Sequence, residues 1–439
     1  MRILALVVVL AAGVEALDWQ NTGELTGAKV VRDLIVGPDG HLYAAAGLDT
    51  ASADSACVFV SPDLVTWERC GDIPGDVEIV AGLFNGVADT LFAGTGATYQ
   101  GNVGPLLYSS SDKGSTWQFR SQITGERVGT TLTCVLETRA GAITAGHNYM
   151  AMHTSGAPCL SSDRGGSWSQ GAVTGRIADM YCLLETADNN LFCGGWGTGG
   201  VVLKSSDGGA NWAATSELYD AGHTRALVNG PAGAIFAGTY PRSSPQEPIG
   251  RVFKTTDAGA SWQQLGYGFF NGTSGIRSLC WTTNGLLFAG SAPSAEVFVS
   301  SDSGVTWTST GALPGAAYAA KLVEKTIGDS MFIYAGASNG DVFRAYVPLH
   351  VGVRSPATAP ARTSVRLVPN PTRGELSLSL AGRAAVTVTD AGGRRVAGYT
   401  LEARQSRFAL TGLAAGVYLV EVKQGTDRWT EPVLLLGRP

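Results

Sequence analysis

The chain has 439 residues, 59 of them glycine, with a formal net charge of −5 and only 15% charged residues. So many turn-formers in so long a chain exclude a helical bundle and imply more than one folded unit. Charges of both signs are scattered, which leaves no basic stripe for nucleic acid and no polybasic patch for a membrane surface.

In chain order, "MRILALVVVLAAGVEA" places Arg2 before an apolar run from Ile3 to Val14 and ends on Val14-Glu15-Ala16. This predicts a signal peptide over residues 1–16, with Leu17 opening the mature chain. The run is shorter than the ~20 residues of a spanning helix, and no later segment is a better candidate, so a soluble mature protein is expected. Cysteines stand at 57, 70, 134, 159, 182, 193 and 280; export permits disulfides, and an odd count leaves at least one thiol unpaired. No CxxC pair argues for zinc, and no metal or cofactor is expected. Cys134 and Cys182 share one place in "CVLET" and "CLLET", which suits small buried side chains.

From residue 61 one turn recurs: "SPDLVTW", "SSDKGSTW", "SSDRGGSW", "SSDGGANW", "TTDAGASW" and "SSDSGVTW". Its aspartates, Asp63, Asp112, Asp163, Asp207, Asp257 and Asp302, fall 44 to 51 residues apart, the period of a four-stranded propeller blade. Short apolar runs such as "LFAGT" then "LLYSS" precede each turn as strands, and Trp67, Trp117, Trp168, Trp212, Trp262 and Trp307 each open the next strand. The carboxylate accepts backbone N–H groups, the glycine takes positive φ, and the indole wedges beside a neighbouring sheet. The first copy is one residue shorter and lacks the glycine, so its turn must close differently.

These turns resemble the Asp-box (BNR) repeats of sialidases, xyloglucanase-type glycosidases, sortilin-like receptors and photosystem-assembly propellers. The expected fold is all-β, a seven-bladed β-propeller over residues 17–347. After the last turn, "MFIYAGAS" and "DVFRAYV" supply second and third strands with no tryptophan strand to follow. "LDWQNTG" from Leu17 reads as that missing strand, so the N-terminus is expected to complete the seventh blade and cover open edges.

Residues 348–362, "PLHVGVRSPATAPAR", read as a linker. Residues 363–439 then alternate strictly between Gly and Pro turns, enough for a small β-sandwich. Pro369-Asn370-Pro371 with Gly374, "VTDAGGRRV" with Gly393, and "LTGLAAGVYLVEV" with Gly416 and Tyr418 resemble the type A sorting domain of the bacterial type IX secretion system, an Ig-like β-sandwich. The closing "EPVLLLGRP" departs from that pattern. The resemblance implies export through the periplasm and outer membrane by the type IX machinery as partner, then cleavage with release or surface attachment.

Catalytic signatures are sparse. The Arg-Ile-Pro motif of sialidases is absent, and "VVRDL" at 30–34 is the nearest equivalent. The repeat aspartates belong on outer turns. His147 and His153 in "HNYMAMH" read as a loose surface pair rather than metal ligands, and "GPDGHLY" as a hairpin rather than a calcium loop. One pattern stands apart. Eleven residues before Tyr43, Phe236 and Phe288, the second-strand aromatics, stand Arg32, Arg225 and Arg277 on innermost strands, with Thr133 and Tyr181 at that place in blades three and four. A longer last hairpin would bring Lys321 into the same layer. Two readings remain open for this layer: binding of an anionic glycan or protein ligand at the channel, or pairing with carboxylates such as Asp33. The functional expectation is a secreted or cell-surface binding or scaffold module without catalysis; the alternative is a glycoside hydrolase of exo-sialidase type.

Overall fold

Short apolar runs broken by glycine cannot sustain helices, and among the described residues the chain is β-structure with one 3-10 turn at Pro231–Gly233. The computed structural model describes residues 17–47, 56–75, 77, 79–86, 89–96, 105–123, 131–148, 156–175, 177–197, 200–219, 221–241, 250–266, 269–270, 275–328, 330–347, 375–377, 383–390, 395–401, 407–410, 412–414, 416–424 and 427–435. The expected signal peptide and linker, His153, and the sorting residues Pro369, Asn370, Pro371, Gly374 and Gly393 lie outside them. Two units divide the chain, Met1–Val353 and Arg354–Pro439.

In the first unit, strands Val30–Val36, Leu42–Gly47, Ala56–Ser61 and Glu68–Arg69 pair antiparallel in sequence order. The same order returns from inner strands Ile79–Asn85, Thr131–Glu137, Met180–Glu185, Ala221–Asn229 and Gly275–Trp281. The last group runs Ala319–Ile327, Ser330–Ala337, Asp341–Val347 and takes Gln20–Glu24 as its outer strand, with Gln20 opposite Arg344. Each inner strand touches the next, and Val30–Val36 touches Ala319–Ile327, so the inner strands form a closed ring.

Apolar clusters lie between adjacent groups: Tyr43 and Val58 of the first pack with Val80, Leu83, Ala93, Tyr108 and Trp117 of the second. Close approach explains the small residues of the second strands. A Cβ on Gly146 would sit 2.5 Å from the Cys134 sulfur and 2.8 Å from the Met180 Cβ, so bulk there would push two groups apart. The seven cysteines are free thiols; Cys134 is buried and Cys182 half-buried.

The aspartate turns repeat in detail. Asp112 accepts the Thr116 amide at 2.9 Å, the Thr116 hydroxyl at 2.6 Å and the Ser110 hydroxyl at 2.8 Å, while Ser110 Oγ accepts the Gly114 amide at 2.8 Å. Asp302 reproduces this with Thr306, Ser300 and Gly304. The glycine is not alone in the left-handed region: Lys113 at φ 61° precedes Gly114 at φ 83°, and Arg164, Ala258 and Ser303 do the same. In the shorter first copy Leu64 takes φ 67° and Asp63 accepts both the Val65 and Thr66 amides. These bonds favour the carboxylate form, holding Asp63, Asp207 and Asp257 at about 2 and Asp112, Asp163 and Asp302 below the ordinary range.

The tryptophans then reach sideways or back. Trp67, Trp168 and Trp262 donate to Thr22, Ser121 and Thr215 of the preceding group at 3.0, 2.8 and 3.2 Å, whereas Trp212 and Trp307 donate to their own turn carbonyls, Gly209 and Gly304, at 2.9 Å. Trp19 on the N-terminal segment makes the sideways bond, to Thr310 Oγ1 at 3.3 Å. The Trp117 indole N–H is buried without a hydrogen-bond partner.

In the second unit, strands Arg395–Leu401, Ala384–Asp390, Gly416–Gln424 and Asp427–Leu435 form one sheet in that order, and Glu375–Ser377 pairs with Arg407–Ala409. Val386, Val388, Leu401, Leu410, Tyr418, Val420 and Val422 build its core. Gly416 opens a strand, and the Tyr418 hydroxyl donates to the Ala414 carbonyl at 2.8 Å.

Candidate functional site

Each inner strand slips register near its start, at an equivalent place: between Val31 and Asp33, Val80 and Gly82, Leu132 and Cys134, Met180 and Cys182, Thr224 and Ala226, Ile276 and Ser278, and Ala319 and Lys321; Ala221–Asn229 slips a second time, between Ala221 and His223. A bulge leaves one extra residue outside the ladder and re-aims its side chain. The extra residues are Arg32, Ala81, Thr133, Tyr181, Arg225, Arg277 and Ala320. They form one layer around the ring, in which Tyr181, Arg225 and Arg277 are consecutive and Arg32 stands between Ala320 and Ala81.

Lys321 is not in that layer. The last bulge falls on Ala320, so Lys321 stands one residue further on, beside Asp33, Cys134, Cys182 and Ser278 of the other strands. One residue of slip reverses the facing of a strand side chain. This second layer ties neighbours together: Lys321 Nζ lies 3.3 Å from Asp33 Oδ1, Asp33 accepts the Leu34 and Leu83 amides at 3.0 Å, and Ser278 Oγ accepts the Leu322 amide at 2.8 Å. The Asp33 charge raises Lys321 above its ordinary value.

The bulge-layer arginines are held differently. The Arg225 guanidinium lies 3.6 Å from the Tyr181 ring centre and 5.5 Å from that of Tyr240, and Arg277 lies 3.9 Å over Tyr318. Among the described residues no carboxylate is in ion-pair contact with Arg32, Arg225 or Arg277. Burial, and Arg277 as a like charge, lower the affinity of Arg225 for its proton, while Tyr181 and Tyr240 oppose that shift. The Arg225 Nε is buried with no hydrogen-bond partner, and so is His223 Nδ1 beside it. His223 sits among Tyr181, Trp196 and Tyr240 at ring separations of 6.0, 5.9 and 6.3 Å; burial and Arg225 push it down to about 4 and keep it neutral. The Tyr181 hydroxyl donates to Asp179 at 3.1 Å, and burial pushes it well above the ordinary phenol value.

Trp196, Tyr240, Tyr318 and His223 escaped the sequence reading. A signal for two of them exists: aligned at the second strand, "LFCGGW" and "IFAGTY" place Trp196 and Tyr240 at one position, where the second group has Gly96. His147 differs from expectation. It is fully buried in Ile143–Asn148 rather than at the surface, 3.2 Å from the Ala157 carbonyl, and burial lowers it to about 4. Among the described residues no cluster of His, Cys, Asp and Glu has the arrangement to hold a metal, and no helix is long and apolar enough to cross a membrane.

Residues 366–435 match the family described as Secretion system C-terminal sorting domain. The C-terminal segment is a secretion sorting domain. This sorting domain marks proteins exported by the type IX system to the cell surface or extracellular space. No curated protein matches the chain in sequence. Among solved structures, YCF48 bound to D1 peptide is similar at 16% identity and TM-score 0.52, covering 76% of this chain and all of that one. YCF48 from Cyanidioschyzon merolae is similar at 15% identity and TM-score 0.52, covering 74% of this chain and 98% of that one. The GH74 enzyme of Niastella koreensis reaches 14% identity and TM-score 0.54, covering 95% of this chain and 74% of that one. At such identities the likeness concerns fold alone: the sorting domain is preceded by a β-propeller.

Proposed function

We propose that the chain is a seven-bladed β-propeller, closed by its N-terminal strand and followed by a β-sandwich sorting domain, that binds an anionic ligand outside the cell. The observation that carries this reading is the set of three guanidinium groups in one bulge layer, two laid on tyrosine faces and none in an ion pair. Guanidinium forks pair bidentately with carboxylate or phosphate, and the stacked tyrosines hold two of them in place before binding. The linking second layer separates stability from recognition, since Lys321 and Asp33 neutralise each other there. A propeller solved with a peptide bound, YCF48, supports a binding role for this frame.

The test is calorimetric titration of the purified chain with citrate. Replacing Arg225 and Arg277 by alanine is expected to weaken citrate binding about tenfold or more per residue, as charge-assisted hydrogen bonds contribute about 1.5–3 kcal/mol each. Affinity is also expected to fall with added salt. Equal affinity in the variant refutes the reading.

A second reading is a glycosidase of exo-sialidase type, favoured by the Tyr181–Asp179 hydrogen bond beside Arg225. The binding reading is preferred because Arg225 covers the Tyr181 ring face and burial disfavours the phenolate a nucleophile requires. Release of fluorophore from a fluorogenic sialoside, lost in Tyr181→Phe, would reverse that preference.

A further inference from the structure

Aromatic rings outnumber cations at this mouth. In antiparallel groups of four, the ends of second strands and the starts of first strands share one face. Trp196 directly follows Leu191–Gly195, Tyr240 lies near the end of Ile235–Pro241, and Tyr318 directly precedes Ala319–Ile327, so all three stand on the face where the bulge layer opens. All three are half-buried, presenting part of each ring to solvent. The Tyr240 and Tyr318 hydroxyls make no hydrogen bond among the described residues, leaving neutral donor and acceptor groups beside Arg225 and Arg277.

We infer that the anionic ligand is an acidic polysaccharide, a chain of sugar rings bearing carboxylates. This rests on the anion-binding reading above and adds the class of ligand. Three features of the mouth support it together. Carboxylates answer the arginine forks. Ring C–H faces lie on partly exposed indole and phenol rings, and sugar hydroxyls answer the free tyrosine hydroxyls, a demand that an aspartate or glutamate side chain does not meet. Three guanidinium groups in one layer, none in an ion pair among the described residues, call for more than one carboxylate, as consecutive sugars supply. Ala320 between Arg277 and Arg32, and Ala81 with Thr133 on the next two inner strands, are small and leave room for a chain to pass.

The experiment compares oligogalacturonate, poly-glutamate and neutral dextran on the full chain by calorimetry at matched ionic strength. Oligogalacturonate is expected to bind at least tenfold more tightly than poly-glutamate of similar charge, and dextran not at all. Trp196→Ala should lower oligogalacturonate affinity about tenfold while leaving poly-glutamate affinity within twofold. Tyr240→Phe, which keeps the ring and removes only the hydroxyl, repeats the test at smaller amplitude should Trp196→Ala unfold. Equal binding of the two anions, or the same loss for both in Trp196→Ala, overturns the saccharide assignment and leaves the anion reading intact. Tight binding of dextran overturns it as well. If neither anion binds, the anion reading itself fails.

Discussion

The two faces of the ring are built on opposite plans. On the face of the aspartate turns, equivalent positions carry equivalent residues, and Asp112, Asp163, Asp207, Asp257 and Asp302 make nearly superimposable bonds. At the bulge layer near the other face the backbone repeats in every inner strand while the side chain changes from Arg to Ala to Thr to Tyr. Repetition of residue with backbone marks a framework that each sheet needs for itself. Repetition of backbone without residue marks positions the fold leaves free for a task.

Breaking the framework where it has one copy should have the largest effect. Deleting residues 17–24 removes the outer strand of the last group and Trp19, which is 9% exposed and bonded to Thr310. The loss should exceed the about 3–5 kcal/mol of a buried aromatic truncation, because an open sheet edge is added. Thermal melting of the truncated protein checks it, and an unchanged midpoint would show that the strand is dispensable.

A sharper form of the comparison uses two adjacent residues. Asp33→Ala removes the partner of Lys321 and strips acceptors from the buried Leu34 and Leu83 amides, and should cost about 1–3 kcal/mol for each amide left unsatisfied. Arg32→Ala, one position earlier and exposed, should change stability by under about 0.5 kcal/mol. Urea denaturation of both variants decides, and similar losses would erase the distinction between the layers.

The smallest effect is a pH dependence confined to the turns. Their aspartates sit below the ordinary value of 3.8, with Asp63, Asp207 and Asp257 at about 2. A depressed carboxyl contributes stability that is complete above 3.8 and is lost as pH falls toward 2, because the unfolded chain takes up protons first. The urea midpoint should therefore drop between pH 4 and pH 2, and Asp207→Asn should flatten part of that slope. A slope unchanged in Asp207→Asn would place the acid sensitivity elsewhere.

Local features were legible in the sequence. Every bond of an aspartate turn closes within four residues, so spacing alone implies its partners. The sorting domain was legible because its motifs lie in order along one short segment. Counting from the second-strand aromatics also placed Thr133 and Tyr181 correctly beside the arginine positions, since those hairpins have the same length. The count failed at Lys321, where the last hairpin is longer and the position of the slip depends on which residues of Ser330–Ala337 pair across it. The burial of His147 was not legible, because burial is set by packing around a strand and not by the residues next to it in the chain.

The sequence by itself determined the all-β class, the repeating turns and the route of export, each written in residues close together along the chain. Only the tertiary structure decided that Asp33 serves Lys321 rather than an arginine, and that Arg225 lies on Tyr181 and Arg277 on Tyr318. Those pairs join residues about 40 to nearly 290 positions apart, on groups that become neighbours through packing and ring closure. Residue spacing carries bonds inside a turn, but register and closure are properties of the assembled sheets, and they set which charges meet and which remain open to a ligand.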